Sequence, residues 1–151
     1  MLALLLGWLL RVDASDSVAT LHSLSILRSD GERVALSVEV AADEQQRRVG
    51  LMGRRELAAR HGVLFDFGTP TLATMWMKNT PLSLDMLFVD EHGLVVWLQP
   101  RTTPDSLALI SAPQRVRYVL EINAGEAQSF GITSGDRVLL PQCLLAQTCG
   151  Q

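Results

Sequence analysis

Residues 34–41 read Val-Ala-Leu-Ser-Val-Glu-Val-Ala, an alternation that sets the fold class of the chain. Successive side chains of a β-strand point to opposite faces, so an apolar residue at every second position predicts a strand with one buried face. Ser29, Asp30 and Gly31 precede this strand and supply a turn. Residues 21–27 are therefore predicted to form the other arm of a β-hairpin.

Short apolar runs continue along the chain, each bounded by residues that favour turns. They predict strands at residues 63–67, 72–77, 84–89, 94–98, 118–122 and 137–140. Asp43 and Gln46 resemble a capping box, which predicts a short helix that is interrupted at Gly50, and further helical turns are expected at residues 54–60 and 125–130. This pattern favours a mainly β (α+β) fold: a small barrel- or sandwich-like antiparallel sheet with a few short helices.

The length and charge of the chain narrow the possible classes of protein. A chain of 151 residues is sufficient for one domain with one core. The formal net charge of −3 provides no basic field of the kind that attracts phosphate backbones, so we expect no nucleic-acid partner.

The beginning of the sequence resembles a targeting segment. Residues 1–10 are almost wholly apolar, but they number about half of the roughly 20 residues that a spanning helix needs. Val12 and Ala14 follow and fit a processing site with small residues. We therefore interpret residues 1–14 as a signal-peptide-like segment and residues 15–151 as a single β-rich domain that is periplasmic or secreted. The alternative is that the apolar run forms an N-terminal core helix.

The two cysteines of the chain, Cys143 and Cys149, are separated by five residues near its end. In an oxidising compartment such a pair can close a small loop, and the spacing matches neither the redox motif nor the usual zinc knuckle. A Cys143–Cys149 disulfide is therefore predicted, in agreement with export. The alternative is two unrelated free thiols in the tail.

Four sequence blocks carry a resemblance to a known family. They are Gln-Arg-Arg-Val-Gly-Leu-Met-Gly-Arg (46–54), Gly-Val-Leu-Phe-Asp-Phe (62–67), Met-Trp-Met-Lys-Asn-Thr-Pro-Leu-Ser-Leu-Asp (75–85) and Val-Leu-Glu-Ile-Asn-Ala-Gly (119–125). In their order and spacing they resemble the bacterial and archaeal family called domain of unknown function 192, over residues 25–140. The resemblance implies a small β-rich protein, often carrying a signal peptide or lipid anchor, with no agreed activity.

The block at residues 75–85 also contains residues that could bind a ligand. Strand alternation points Met75 and Met77 inward, which leaves Lys78 beside the indole of Trp76 as a cation–π pair. Asp85 lies between apolar neighbours, as does Glu121, and a buried carboxylate needs a partner. Lys78 or one of the arginines at positions 47, 48 and 54 is the expected partner.

These observations lead to a hypothesis of one polar cluster. Its members are Arg54, Lys78, Asn79, Asp85, Glu121 and Asn123. The competing interpretation is that Asp85 and Glu121 face solvent on alternating strands while the other residues cap turns.

Three functions are compatible with this sequence. The first is a non-catalytic binding domain for a small polar or anionic ligand, or for an envelope partner, since such a site needs only cations and amide donors. The alternative is a cell-envelope hydrolase with Asp85 or Glu121 as base, although no motif identifies a nucleophile. The third is a soft-metal carrier, whose ligands would be Met52, Met75, Met77, Met86 and His61.

No cofactor motif is apparent, and the three histidines show no zinc-binding spacing. We therefore predict no cofactor and no zinc site.

Overall fold

The computed structural model describes residues 20–149, so the signal-peptide-like segment predicted at residues 1–14 lies outside the described residues. The described part contains nine strands: β1 (His22–Leu27), β2 (Arg33–Ala41), β3 (His61–Thr71), β4 (Thr74–Met75), β5 (Leu84–Val89), β6 (Val95–Gln99), β7 (Ile110–Ser111), β8 (Val116–Asn123) and β9 (Arg137–Leu139). It also contains three short helices: α1 (Glu44–Val49), α2 (Glu126–Ser129) and α3 (Gln142–Leu145). None of these helices has the length and apolar character needed to cross a membrane.

Seven strands form one curled sheet in the order β6-β5-β8-β3-β2-β1-β9, and β4 pairs with β7 in a separate small sheet. The two edges of the large sheet approach each other, because the Val95 N–H donates to the Asp136 carbonyl at 2.9 Å and the Val138 N–H donates to the Gly93 carbonyl at 2.7 Å. The mainly β, barrel-like fold predicted from the sequence is confirmed.

One strand pair departs from the predicted antiparallel arrangement. β2 and β3 run parallel, with Val40 opposite Leu64. Residues 42–60, which include α1, carry the chain back to the starting end of β2, and a parallel pair requires such a crossover. The large sheet is therefore mixed.

Several predicted elements are confirmed and others are wrong. The β1–β2 hairpin, the helix capped by Asp43 and the strand at residues 84–89 are present, and Asp43 and Gln46 form the expected capping box. The helix predicted at residues 54–60 is absent, because the side-chain amide of Asn123 binds the carbonyls of Leu57 and Ala58 and holds an irregular loop. The strand predicted at residues 72–77 is reduced to β4, because the Met77 N–H donates to Ser106 instead of to a strand.

The part of the large sheet formed by β5, β8 and the first half of β3 is buried on both faces. Its main core includes Leu64, Leu87 and Leu120, and its second core, on the opposite face, includes Phe65, Met86 and neighbouring apolar residues. Two stretches, residues 50–58 and 72–81, contribute Leu51 and Met77 to the second core and are called the cover segments below. Because both faces are covered, β5 is buried at every position and β8 at six of its eight positions.

Candidate functional site

Glu121 lies on β8 beneath the cover segments. Its neighbours across the sheet are Val63 on β3 and Met86 on β5, which both belong to the second core. Only 4% of Glu121 is exposed. The sequence-based alternative, in which this carboxylate faces solvent, is therefore wrong.

Glu121 differs from the other buried carboxylates of residues 20–149. Asp66 is paired with Arg117 at 3.0 Å, and Asp136 accepts hydrogen bonds from the backbone N–H groups of Ser29 and Thr133. Glu121 accepts no hydrogen bond from any residue that the structure describes. Burial without a partner disfavours the charged carboxylate and raises the pKa of Glu121 to about 8.

The Glu121 side chain lines a cavity of about 110 Å³ between the sheet, α1 and the cover segments. Three further residues give the cavity polar character: Thr80, Arg47 and Arg48. The apolar part of the wall consists of Val49, Leu51, Met52, Phe65, Phe67, Met75 and Trp76. A mostly apolar cavity with a few convergent polar groups is the usual form of a small-molecule site.

Gly50 brings the end of α1 against this cavity. Its φ is +46°, and a Cβ atom at this position would lie 2.8 Å from Cζ of Phe65. Only glycine avoids both the strained backbone and the collision. The sequence predicted that the helix is interrupted at Gly50. This interruption allows the end of α1 to pack against Phe65 and to form one side of the cavity.

Three of the predicted site residues form hydrogen bonds that hold the cover segments in place. Arg54 forms a two-point ion pair with Glu39, with Nη2 to Oε2 at 2.6 Å, and this hydrogen bonding raises the pKa of the guanidinium. Nδ2 of Asn123 donates to the Leu57 carbonyl at 3.0 Å. The carbonyl of Asn79 accepts from the Gly53 N–H at 2.7 Å, which joins the two cover segments.

Asp85 has a different role from the one predicted. Its carboxylate is buried, but it lies on the face of the sheet opposite Glu121 and accepts from the backbone N–H groups of Arg101, Gly125 and Ala127 at 2.8–3.0 Å. The expected pairing with Lys78 or an arginine is wrong. Backbone donors at the start of α2 satisfy the carboxylate and leave no need for a cation.

Lys78 lies on the exposed side of its segment. Its Nζ is 5.0 Å from the ring centroid of Trp76, so the predicted cation–π pair is confirmed, as is the inward position of Met77. Of the six residues in the proposed polar cluster, Glu121 alone lines the cavity among residues 20–149. The six residues therefore do not form one cluster.

Sequence reasoning missed the aromatic wall of the cavity. Phe65 and Phe67 belong to the quoted block at residues 62–67, but their spacing indicates only a strand face. Trp76 was assigned to the outer face, and although it is 43% exposed it also lines the cavity. Gly50 was the available signal, because glycine is used where the backbone approaches another group closely, here the ring of Phe65.

Of the residues considered for a soft-metal site, His61 alone lies apart from the four methionines. Met77 and Met86 are buried in the second core, and Met52 and Met75 line the cavity. His61 instead lines a groove with Glu39 and Arg54. The surroundings of the methionines are mostly apolar, and filling such surroundings is the usual use of this side chain.

A curled sheet whose second face is covered, with a buried glutamate that lines a small cavity beneath the cover segments, defines a small β-rich, barrel-like domain. The chain belongs to the family of domain of unknown function 192 (DUF192), described as an uncharacterized ACR, whose profile matches residues 25–140.

Two solved structures resemble the chain closely. One is a protein from Sinorhizobium meliloti 1021 named as a proposed transcription regulator, with 40% sequence identity, a TM-score of 0.79, and coverage of 82% of this chain and 95% of that chain. The other is a protein of unknown function from Novosphingobium aromaticivorans DSM 12444, with 32% identity, a TM-score of 0.76, and coverage of 80% and 85%. No curated protein matches the chain.

Proposed function

We propose that this protein is a binding domain for a small hydroxylated ligand and that it works outside the cytoplasm. The observation that carries the proposal is the buried Glu121 carboxylate, which lines a cavity and has no hydrogen-bond partner among residues 20–149. A hydrogen bond is stronger where the surroundings are shielded from water, so a ligand that binds this carboxyl group gains affinity.

The protonation state of Glu121 favours a hydroxyl group over an anion. With a pKa of about 8, the carboxyl is mostly protonated at neutral pH, so it can donate one hydrogen bond and accept another. Thr80 adds a hydroxyl oxygen whose proton is donated to the Lys78 carbonyl at 3.1 Å, which leaves its lone pairs available. A ligand hydroxyl can bind both groups.

The cations at the cavity are less suited to holding an anion. Arg47 donates to the carbonyls of Ala42 and Asp66, and Arg48 is paired with Glu44 at 2.8 Å. Since both guanidinium groups already have acceptors, the anionic ligand considered from the sequence is the weaker choice.

The size and wall of the cavity limit the ligand further. The cavity of about 110 Å³ is smaller than an engineered cavity of about 150 Å³ that admits benzene, so the part of a ligand that it encloses should be smaller than a benzene ring, such as a chain end or one edge of a ring. Phe65, Phe67 and Trp76 offer aromatic surfaces for the apolar part of that group.

The proposal is tested with a panel of small polyols, sugars and phenols, compared with carboxylates and phosphates, by thermal shift and calorimetry. Hydroxylated compounds should stabilise the parent protein, and Glu121→Gln, which cannot donate and accept in the same way, should weaken binding about tenfold. Glu32→Gln, a change at an exposed carboxylate outside the cavity, is the matched control. Equal affinities of the parent and Glu121→Gln for every compound would reject the site.

Hydrolysis is the second candidate function, and the raised pKa of Glu121 is the observation that favours it. A pKa near the working pH suits a general acid or base. Asp85 is unsuited to this role because three backbone donors occupy its carboxylate. Turnover of an ester or glycoside that Glu121→Gln abolishes would support the enzyme, whereas binding without turnover supports the binding domain.

Export is the part of the proposal that rests on the cysteines and the apolar N-terminal sequence. Cys143 and Cys149 are disulfide-bonded, and such bonds persist mainly in oxidising compartments. Cell fractionation combined with non-reducing peptide mapping tests it. Recovery of the chain in the cytoplasm with two alkylatable thiols would contradict export.

A further inference from the structure

His22 lies beside the Cys143–Cys149 disulfide, although 120 residues separate His22 from Cys143 in the sequence. One ring nitrogen of His22 and the two sulfur atoms all lie within 4.8 Å of one another. The strand register explains the meeting. β1 and β9 are antiparallel with Ser25 opposite Leu139, so the beginning of β1 adjoins the chain as it leaves β9 and enters α3.

The loop that carries the two cysteines is held by contacts other than the disulfide. The Thr148 N–H donates to the Cys143 carbonyl at 2.8 Å, and Gln147 adopts a left-handed turn with φ of +56°. Leu144 is buried in the main core. None of these contacts involves the sulfur–sulfur bond, so we expect them to keep both sulfurs close to the His22 ring after reduction.

We propose that reduction of this disulfide creates a three-ligand site for a thiophilic divalent ion such as Zn²⁺. The ligands are the Sγ atoms of Cys143 and Cys149 and a ring nitrogen of His22. Two thiolates and an imidazole are a donor set that zinc accepts, with the fourth position open to water.

The chemical balance of the step is simple. A dithiol reductant attacks one sulfur, the Cys143–Cys149 bond breaks, and the dithiol leaves as its own disulfide. The two resulting thiols lose two protons when the ion binds, so the charges of the thiolates and of the ion cancel. Around a tetrahedral zinc ion, neighbouring ligand atoms are roughly 3.3–3.8 Å apart, so small side-chain rotations from the present positions are sufficient.

The experiment uses the full chain, reduced with an excess of a dithiol under argon and then freed of both forms of the reductant. Co²⁺ is titrated as a spectroscopic probe, and Zn²⁺ is then added to displace it. We expect one ion per chain, with thiolate-to-cobalt absorption, and no such binding by the oxidised chain. Circular dichroism before and after reduction checks that the fold persists, and loss of the native spectrum would overturn the proposal.

Variants identify the ligands. Cys143→Ser leaves only the Cys149 thiolate, so the thiolate-to-cobalt absorption should fall well below that of the parent chain. His22→Ala and His22→Gln should each weaken Zn²⁺ binding at least about tenfold, since loss of even an outer partner of a ligand costs ten- to a hundredfold. His92→Ala, at an exposed histidine, is the matched control. Unchanged affinity of both His22 variants, or equal binding by the oxidised chain, would overturn the site. Because these readouts do not involve the Glu121 cavity, they are independent of the proposed ligand binding.

Discussion

Asp85 and Glu121 are buried carboxylates on neighbouring strands of the same sheet, and the protein treats them in opposite ways. Asp85 is 1% exposed and accepts three backbone hydrogen bonds near the start of α2. Glu121 is 4% exposed, lies on the other face and has no partner among the described residues. Equal burial therefore accompanies two roles: Asp85 fixes a loop and a helix, whereas Glu121 leaves its hydrogen-bonding capacity available in a cavity.

The largest expected effect is at Asp85. Asp85→Ala leaves the N–H groups of Arg101, Gly125 and Ala127 without their acceptor, so the free energy of unfolding should fall by about 2–4 kcal/mol. Urea unfolding followed by tryptophan fluorescence measures the loss. Asp85→Asn, which retains one acceptor oxygen, should lose less, and a loss below about 0.5 kcal/mol for Asp85→Ala would contradict the bonding described here.

The second prediction concerns the pH dependence that Glu121 confers. The ordinary pKa of a glutamate is 4.5, and the pKa of Glu121 in the folded protein is about 8. At pH values between these two, the folded protein keeps a proton that the unfolded chain has released. The free energy of unfolding should therefore be greatest at low pH within this range, fall as the pH rises, and level off above about 8, with a total change of a few kcal/mol.

Glu121→Gln should remove this component and leave the rest of the pH profile intact. The measurement is urea unfolding of the parent and the variant at intervals from pH 5 to pH 9. The two proteins should differ little at pH 5, and the variant should be the more stable above pH 8. Parallel profiles would show that the folded carboxyl titrates normally.

The third prediction tests how the cover is held over Glu121. Arg54→Ala removes the ion pair with Glu39 and should cost about 1 kcal/mol, because the pair is only partly shielded from solvent. Hydrogen exchange of the Gly53 amide, which bonds to the second cover segment, should become faster. Arg55→Ala, at the exposed neighbouring position, is the matched control, and an identical effect of both changes would remove Arg54 from this role.

The smallest effect is expected at Lys78, the one lysine in the chain. Lys78→Ala removes the cation above Trp76 and should change the free energy of unfolding by less than about 1 kcal/mol. Trp76 fluorescence should respond to Lys78→Ala but little to Lys78→Arg, which keeps a cation. If Lys78→Ala weakens ligand binding as much as Glu121→Gln does, Lys78 and Glu121 belong to one site, as the polar-cluster hypothesis proposed.

The strands could be predicted where side-chain alternation or turn residues left no choice. β2 has one face buried, so apolar residues occur at every second position of its sequence. The capping box of α1 depends only on two residues that are three positions apart. β7 and α3 were missed, because two-residue pairing and a single helical turn leave almost no periodic signal.

The predicted site failed for a specific physical reason. The prediction treated Asp85 and Glu121 as equivalent, because each lies between apolar neighbours in sequence. Their strands pair so that Asp85 lies opposite Ile122 and Met86 lies opposite Glu121, which places the two carboxylates on opposite faces. Strand register is a long-range property, and a shift of one residue would have reversed the faces.

The sequence by itself determined the β-rich class, the family membership, the first hairpin, the capped helix and the cysteine pair, because each depends on local chemistry or on motifs that are contiguous in the chain. Only the tertiary structure decided which carboxylate would lie beside a cavity and which would be bound by backbone amides. It also decided that His22 would lie next to Cys143 and Cys149. These outcomes depend on contacts between segments that are distant in sequence, and no local pattern contains that information.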